Sequence, residues 1–398
     1  MSAPAATARD DAGAPERLSH EEIGEAIGQI CARFGDDYWL RCDSDGQFPE
    51  AFYRAIAEGG WLGIAMPEAF GGAGLGIAAA ATMMRTIAES GAGMSGASSV
   101  HMNIFGLQPV VVFGSESQKQ RMLPPLIRGE QKACFAVTEP DAGLNTTRLR
   151  TRARRQGDHY LATGQKIWIS TAQVADKVLL ARTTPLEEVR RPTDGLSLFY
   201  TDLDRRQVEI REIAKMGRHA VDSNMLIFED WTIPAEDLIG VAGEGFRQIL
   251  HGFNPERILI AAEAVGLGRA ALRRATRYAR ERIVFDRPIG QNQAIQHPLA
   301  TCWMQLEAAN LMVMRAADLY DEGRSCGAEA NAAKYLAAEA AFSACETAVL
   351  THGGMGYAAE YHVERYLREC LIPRLAPVSP QMIKNFIAEK VLDLPRSY

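Results

Sequence analysis

The 398-residue sequence has no CxxC pair, no apolar run long enough to cross a bilayer without a charge, and no surplus of positive charge. Each absence excludes something. The seven cysteines, at 31, 42, 134, 302, 326, 345 and 370, are scattered and odd in number. That pattern fits free thiols in a reducing compartment, and it offers neither a disulfide frame nor the spacing of a metal site. No stretch reaches the ~18 apolar residues of a membrane span, and the start, MSAPAATARDDAGAPERL, lacks the apolar core of a secretory signal. A cytoplasmic protein without a membrane span is the expectation. Acidic residues outnumber basic ones, 49 to 43, giving a formal charge of −6. Nucleic acid as the main partner is thereby disfavoured, because it requires a strong cationic footprint.

What is present divides by period. A polar start of about 15 residues precedes Ile23, Ala26, Ile27 and Ile30, which recur at helical spacing behind a Ser19/Glu22 capping box. Further helices are predicted over 48–59, 76–91, 100–112 and 116–128. The glycines of PEAFGGAGLG (67–76) mark a turn; a phosphate cradle is the sharper reading, but no strand precedes it. From 131 to 234, short runs rich in β-branched and aromatic residues are separated by Gly, Asp, Pro and Asn, which predicts a mostly antiparallel β unit. Within it Arg148, Arg150, Arg152 and Arg154 alternate with Leu149, Thr151 and Ala153, as in a strand with one solvated cationic face. Long helices are expected again over 255–283, 292–322 and 327–351. The chain therefore reads as an α+β multidomain protein: an N-terminal helical domain (1–130), a central antiparallel β domain (131–242) and a C-terminal four-helix bundle (243–398).

Four stretches in this order, CFAVTEPDAG (134–143), KIWISTAQVADK (166–177), RERIVFDRPIGQNQAIQ (280–296) and HGGMGY (352–357), together with GSESQKQRMLPPLIRGE (114–130), resemble the acyl-CoA dehydrogenase family over nearly the whole chain. The resemblance implies FAD as cofactor and an acyl-CoA thioester as substrate, with electrons passed to electron-transferring flavoprotein. It also implies a homo-oligomer, commonly a dimer of dimers. Phe135, Val137 and Thr138 would line the flavin ring, with Trp168, Ile169 and Ser170 approaching from the neighbouring hairpin. Such a ring needs donors where negative charge develops and flat apolar contacts on its faces. Arg282, Phe285 and Gln293 resemble residues that reach the diphosphate and adenosine end of FAD from a neighbouring subunit, and Gly353 belongs to the same cofactor set. Leu144, Phe253, Asn254 and Arg257 match substrate-side positions.

The departures are informative. Leu144 and Asn145 replace the usual Ser-Asp, so the hydroxyl expected near the diphosphate or pantetheine is missing; Leu350 stands where a glutamine is common, and Asp286 where glycine is. The family's reaction needs one carboxylate base, commonly a glutamate near the C-terminus. Here the matching segment is LAPVSPQMI, with Pro377 at that place and Ser379 and Gln381 as remaining flavin contacts. Glu256, in FNPERILIAA, is the candidate instead. Its context resembles isovaleryl-CoA and long-chain acyl-CoA dehydrogenases, which implies branched or long acyl groups. A plain structural role competes: Asn254 as N-cap, Pro255 at the first helical position and Glu256 at the second would suit the helix dipole. The absence of any other carboxylate in the matched segments decides for the base, and burial under an acyl chain can raise a glutamate pKa by up to ~3–5 units. The resemblance thus implies dehydrogenation to a trans-2-enoyl-CoA. Alternatives are an oxidase or monooxygenase on the same fold, and a non-catalytic flavin-bound scaffold.

Overall fold

The computed structural model describes residues 18–397, so the polar start lies outside it. Seven helices open the described chain: α1 His20–Cys31, α2 Asp36–Asp45, α3 Glu50–Glu58, α4 Gly76–Ile87, α5 Gly93–Phe105, α6 Gln108–Phe113 and α7 Glu116–Ile127. The capping box at α1 forms as the sequence requires: the Ser19 hydroxyl accepts from the Glu22 amide at 3.2 Å, and the Glu22 carboxylate accepts from the Ser19 amide at 2.7 Å. Two helix boundaries differ from expectation. The helix expected to run to 91 ends at Ile87 and passes into a wide helical turn, Ala88–Ala92, where Gly91 takes φ 111° and Gly93 takes φ 65°. The helix expected over 100–112 is two, because α5 already starts at Gly93 and Pro109 restarts the chain near the N-terminus of α6.

The glycine-rich loop before α4 is a turn, and the amides a phosphate would need are already engaged. Asp321, at the end of a bundle helix, accepts from the amides of Ile77 and Ala78, each at 2.8 Å. A carboxylate there satisfies orphan donors and the positive end of the helix dipole together.

The middle of the chain is one mixed, mostly antiparallel sheet: β1 Ala133–Ala136, β2 Arg152–Gln156, β3 His159–Ser170, β4 Lys177–Arg182, β5 Leu196–Asp202, β6 Val208–Glu212, β7 Ser223–Pro234 and β8 Leu238–Ile239. Its order is β6-β7-β3-β2-β4-β5-β8, with β1 alongside β4 in parallel. The arginine-rich strand begins at Arg152 rather than 148, since Thr146–Arg148 forms a tight helical turn. Alternation then holds as expected: Ala153 is buried while Arg152 and Arg154 face solvent.

The bundle is built on α8 (Gly245–Glu281), α9 (Gln293–Asp321) and α10 (Gly327–His352), followed by α11 Val363–Glu369, α12 Ile372–Leu375 and α13 Pro380–Lys390. At 37 residues, α8 is roughly 55 Å long. It does not begin near 255. Pro255 lies inside it, so Asn254 is not its N-cap and Glu256 does not sit at a helix N-terminus. Burial overrides the local signal here: the turns on both sides of the proline pack on neighbours, and the residue whose carbonyl loses its partner, His251, is exposed to water. Small residues let α8 approach closely. A Cβ on Gly266 would collide with the Arg85 carbonyl of α4, and one on Gly268 would stand 2.5 Å from Leu306 of α9.

The break between α4 and α5 is tied to α11. Glu369 accepts from the Met94 amide at 2.7 Å and the Ser95 hydroxyl at 2.6 Å, while Arg365 donates to the Gly91 carbonyl at 2.6 Å and the Ala92 carbonyl at 3.3 Å. All seven cysteines are buried and free, and no described helix is long and apolar enough to cross a membrane. Replacing Asp321 by Ala strips α4 of its cap and is expected to lower stability by about 0.5–2 kcal/mol. The measurement is a lower apparent melting temperature in calorimetry; an unchanged transition refutes the capping role.

Candidate functional site

One wall of the site comes from the sheet. The turn after β1 is pinned to β3 by the Ile167 amide, which donates to the Thr138 carbonyl at 2.9 Å. Beneath it the fully buried Lys166 donates to the Val137 carbonyl at 2.9 Å and to the Glu139 carboxylate at 3.0 Å. Glu139 in turn accepts from the amides of Arg150, at 2.6 Å, and Thr151, at 3.0 Å. Burial pushes the Lys166 ammonium down to about 8, with Glu139 resisting. The same carboxylate, despite its own burial, is held below its usual value by Lys166 and those amides.

This pin sets Phe135, Val137 and Thr138 beside Trp168, Ile169 and Ser170. Trp168 takes φ 62° and leaves its indole 56% exposed, an unusual condition for so large an apolar ring. Ile169 is buried, and its carbonyl accepts from Asn224 at 2.9 Å. The Ser170 hydroxyl accepts from Arg218 at 2.9 Å, so its own hydrogen is left to donate, with no acceptor among the described residues. Arg218 also donates to the Ser98 hydroxyl of α5 at 3.2 Å, which joins the sheet wall to the helices. An exposed indole, a half-buried phenyl edge and the Ser170 hydroxyl fit a flat conjugated ring with acceptor atoms along one edge.

The other wall is α8. Arg257 donates to the Asn254 side chain at 3.1 Å and stands over the Phe253 ring, 5.6 Å from its centroid. Glu256 keeps some solvent-accessible surface, yet burial pushes its carboxyl up to about 7, against the pull of His101, Arg257 and Lys334. Away from the helix N-terminus, no dipole opposes that rise. Lys334 of α10 donates to the Val378 carbonyl at 2.6 Å, which holds the C-terminal segment beside this wall. Ser379 there caps α13, accepting from the Met382 amide at 3.3 Å, and Gln381 is exposed on the first turn.

The remaining expected positions are not gathered by this chain alone. Arg282, Phe285 and Gln293 lie at the connection of α8 to α9, where Phe285 is 92% exposed. Gly353 follows α10 with φ 60°, and Leu144 is exposed in the loop after β1. No hydrogen bond joins Arg282 or Gln293 to either wall among the described residues.

Four groups escaped the sequence reading: Arg218, Lys334, His101 and Glu263. His101 and Glu263 form a buried, hydrogen-bonded ion pair between α5 and α8. A signal existed for Glu263, a lone carboxylate in the apolar run ILIAAEAVGLG, seven positions after Glu256 and so on the same helix face.

Family models for acyl-CoA dehydrogenases match in three parts: the N-terminal domain over 18–130, the middle domain over 134–231 and the C-terminal domain over 243–392. Acyl-CoA dehydrogenase FadE12 of Mycobacterium tuberculosis is 35% identical over 396 residues, covering 96% of this chain and 98% of that one. A chain in the solved structure of the electron transferring flavoprotein of Acidaminococcus fermentans superposes with a TM-score of 0.90 at 29% identity, over 94% of this chain and 99% of its own. A glutaryl-coenzyme A dehydrogenase in complex with glutaryl-CoA gives 0.89 at 29% identity, over 96% and 98%.

Lys166→Met leaves the buried Glu139 carboxylate without its cation and is expected to cost about 3–5 kcal/mol. Urea unfolding at pH 7 measures this, and adding Glu139→Gln should recover part of the loss. No recovery would show that the pair does not hold the hairpin.

Proposed function

The chain belongs to the acyl-CoA dehydrogenase family of FAD-dependent oxidoreductases, and on that premise we propose that it converts an acyl-CoA thioester to a trans-2-enoyl-CoA, with Glu256 as the α-proton base. The observation that carries this reading is the state of Glu256. A carboxyl pushed up to about 7 is matched to proton abstraction near neutral pH, where an ordinary glutamate would be too weak a base. The C-terminal segment offers Pro377 at the competing position, and Lys334 holds that segment against the same wall.

Phe135, Val137, Thr138, Trp168, Ile169 and Ser170 would hold the flavin ring, the indole covering apolar surface and the Thr138 and Ser170 hydroxyls donating. When bound, FAD supplies the acceptor for the β-hydrogen, taken as hydride. Arg218 prepares the serine for this, because an accepted bond from the guanidinium fixes the hydroxyl oxygen and turns its hydrogen outward. On the substrate side Phe253, Asn254 and Arg257 form one rigid group in which the phenyl ring, the amide and the guanidinium hold each other. That group orients the thioester so that its α-carbon meets the Glu256 carboxylate. Leu144 offers pantetheine an apolar contact in place of a hydroxyl.

Arg282, Phe285, Gln293 and Gly353 would serve the adenosine end of FAD in a neighbouring subunit, with Ser379 and Gln381 completing the ring's surroundings. A phenyl ring left 92% exposed on a two-strand hairpin, with Trp303 and Leu311 exposed on the adjoining α9, supports a homo-oligomer, a dimer of dimers in this reading. Electron-transferring flavoprotein is the proposed electron acceptor, supported by the fold shared with a chain in the solved structure of an electron transferring flavoprotein.

Anaerobic mixing with a panel of acyl-CoA thioesters should bleach the flavin absorbance. Glu256→Gln should keep FAD and slow bleaching by about 10²–10⁴-fold; equal rates in the two proteins would refute the base. Because the carboxyl must be ionised to accept a proton, kcat/KM should fall as pH drops through about 7. A flat profile from pH 6 to 9 contradicts the assignment.

A further inference from the structure

Behind the base lies a second charged group that proton abstraction at Glu256 does not explain. His101 of α5 is bound through Nδ1 to the Glu263 carboxylate of α8, and both side chains are almost wholly removed from solvent, at 8% and 0% exposure. An ion pair this deep is expensive to place and gains little stability over packed apolar side chains of the same size. Its position is therefore informative. Glu263 follows Glu256 by seven residues, two helical turns and roughly 10 Å along α8, so both carboxylates face α5. His101 stands on α5 opposite that stripe, with Glu263 behind it and Glu256 within its electrostatic reach.

We propose that His101, clamped by Glu263, is a positioning residue whose imidazolium keeps the Glu256 carboxylate charged in its water-poor pocket, and so sets the lowest pH at which the enzyme works. This rests on Glu256 being the base. Burial alone would push His101 down, but the Glu263 and Glu256 carboxylates raise it above its usual value, so they favour the protonated ring. Of the groups that pull the Glu256 carboxyl back down, His101 acts most strongly, ahead of Arg257 on the same helix and Lys334 from α10, while Glu263 pushes the other way. Arg218, from the loop before β7, faces the pair from the sheet side, where Glu263 is its strongest charged partner. One carboxylate thus serves the imidazolium, and Glu256 draws on that cation without a permanent bond that would compete with the α-proton.

The test is the pH dependence of His101→Gln and Glu263→Gln, each compared with the parent and with Glu256→Gln, all with FAD retained as judged by flavin absorbance and melting temperature. Two readouts are needed: kcat/KM, and exchange of the α-hydrogens of a saturated acyl-CoA into D2O followed by NMR, which requires the base but no hydride transfer. Glu263→Gln removes both the clamp on His101 and a carboxylate that pushes Glu256 up, so its acid limb should shift less; His101→Gln should move the limb up by about one pH unit. That corresponds to about a fivefold loss at pH 7 that recovers by pH 9, with KM little changed. A limb that stays in place in His101→Gln, with activity lowered equally at all pH values, overturns the inference and leaves the pair a packing feature. If Glu256→Gln still exchanges and turns over substrate, the base assignment fails first, separately from the behaviour of His101. His101→Asn repeats the measurement with a second neutral side chain should His101→Gln not fold.

Discussion

Close packing of α8 against its neighbours is the constraint on which the site depends. Glycines at 266 and 268 bring its backbone against α4 and α9, where a single added carbon would collide. Helices this close leave little room for water between them, so any ionisable side chain on the inner stripe is desolvated, and its charge must be shared or suppressed. Glu256 and Glu263 both lie on that stripe and meet the two fates. Glu263 is paired and stays in the interior; Glu256, at the edge, is held near the point of neutralisation. Chemistry and architecture are thus one fact seen at two positions of the same helix.

The sheet contributes a second kind of constraint. Lys166 and Glu139 are buried together, and their bond to each other and three bonds to backbone groups fix the turn after β1 against β3. The result is a shelf with an uncovered indole at its lip, which no water-facing loop would keep in place unaided. Arg218 then bridges this shelf to α5 through Ser170 and Ser98. The sheet wall and the helices are joined by short polar links rather than by general packing.

Much of this was legible in the sequence, and the failures have physical causes. The Ser19 capping box and the alternating arginines of β2 were readable because the interactions involved are local. The three-part order was readable because period changes are local as well. Glu256 is a candidate by elimination, and its setting differs from the helix start its neighbours suggest. Asn-Pro-Glu is a good helix start by local chemistry, whereas the true start at Gly245 has no side-chain cap to announce it. Tertiary burial of the flanking turns carries the helix through the proline. The His101–Glu263 pair was missed for the opposite reason, since its members are 162 positions apart and neither is unusual alone. The positions at the α8–α9 connection carry an expectation through resemblance alone, because no local pattern singles them out.

The tie between α11 and the start of α5 bears on synthesis. Glu369 grips Met94 across 275 positions of sequence, so this hold on the bend that aims α5, and with it His101, cannot form until those intervening residues have been made. The early segments must wait for a partner made much later. For a chain of this length that interval makes the nascent N-terminal third a natural client of chaperones.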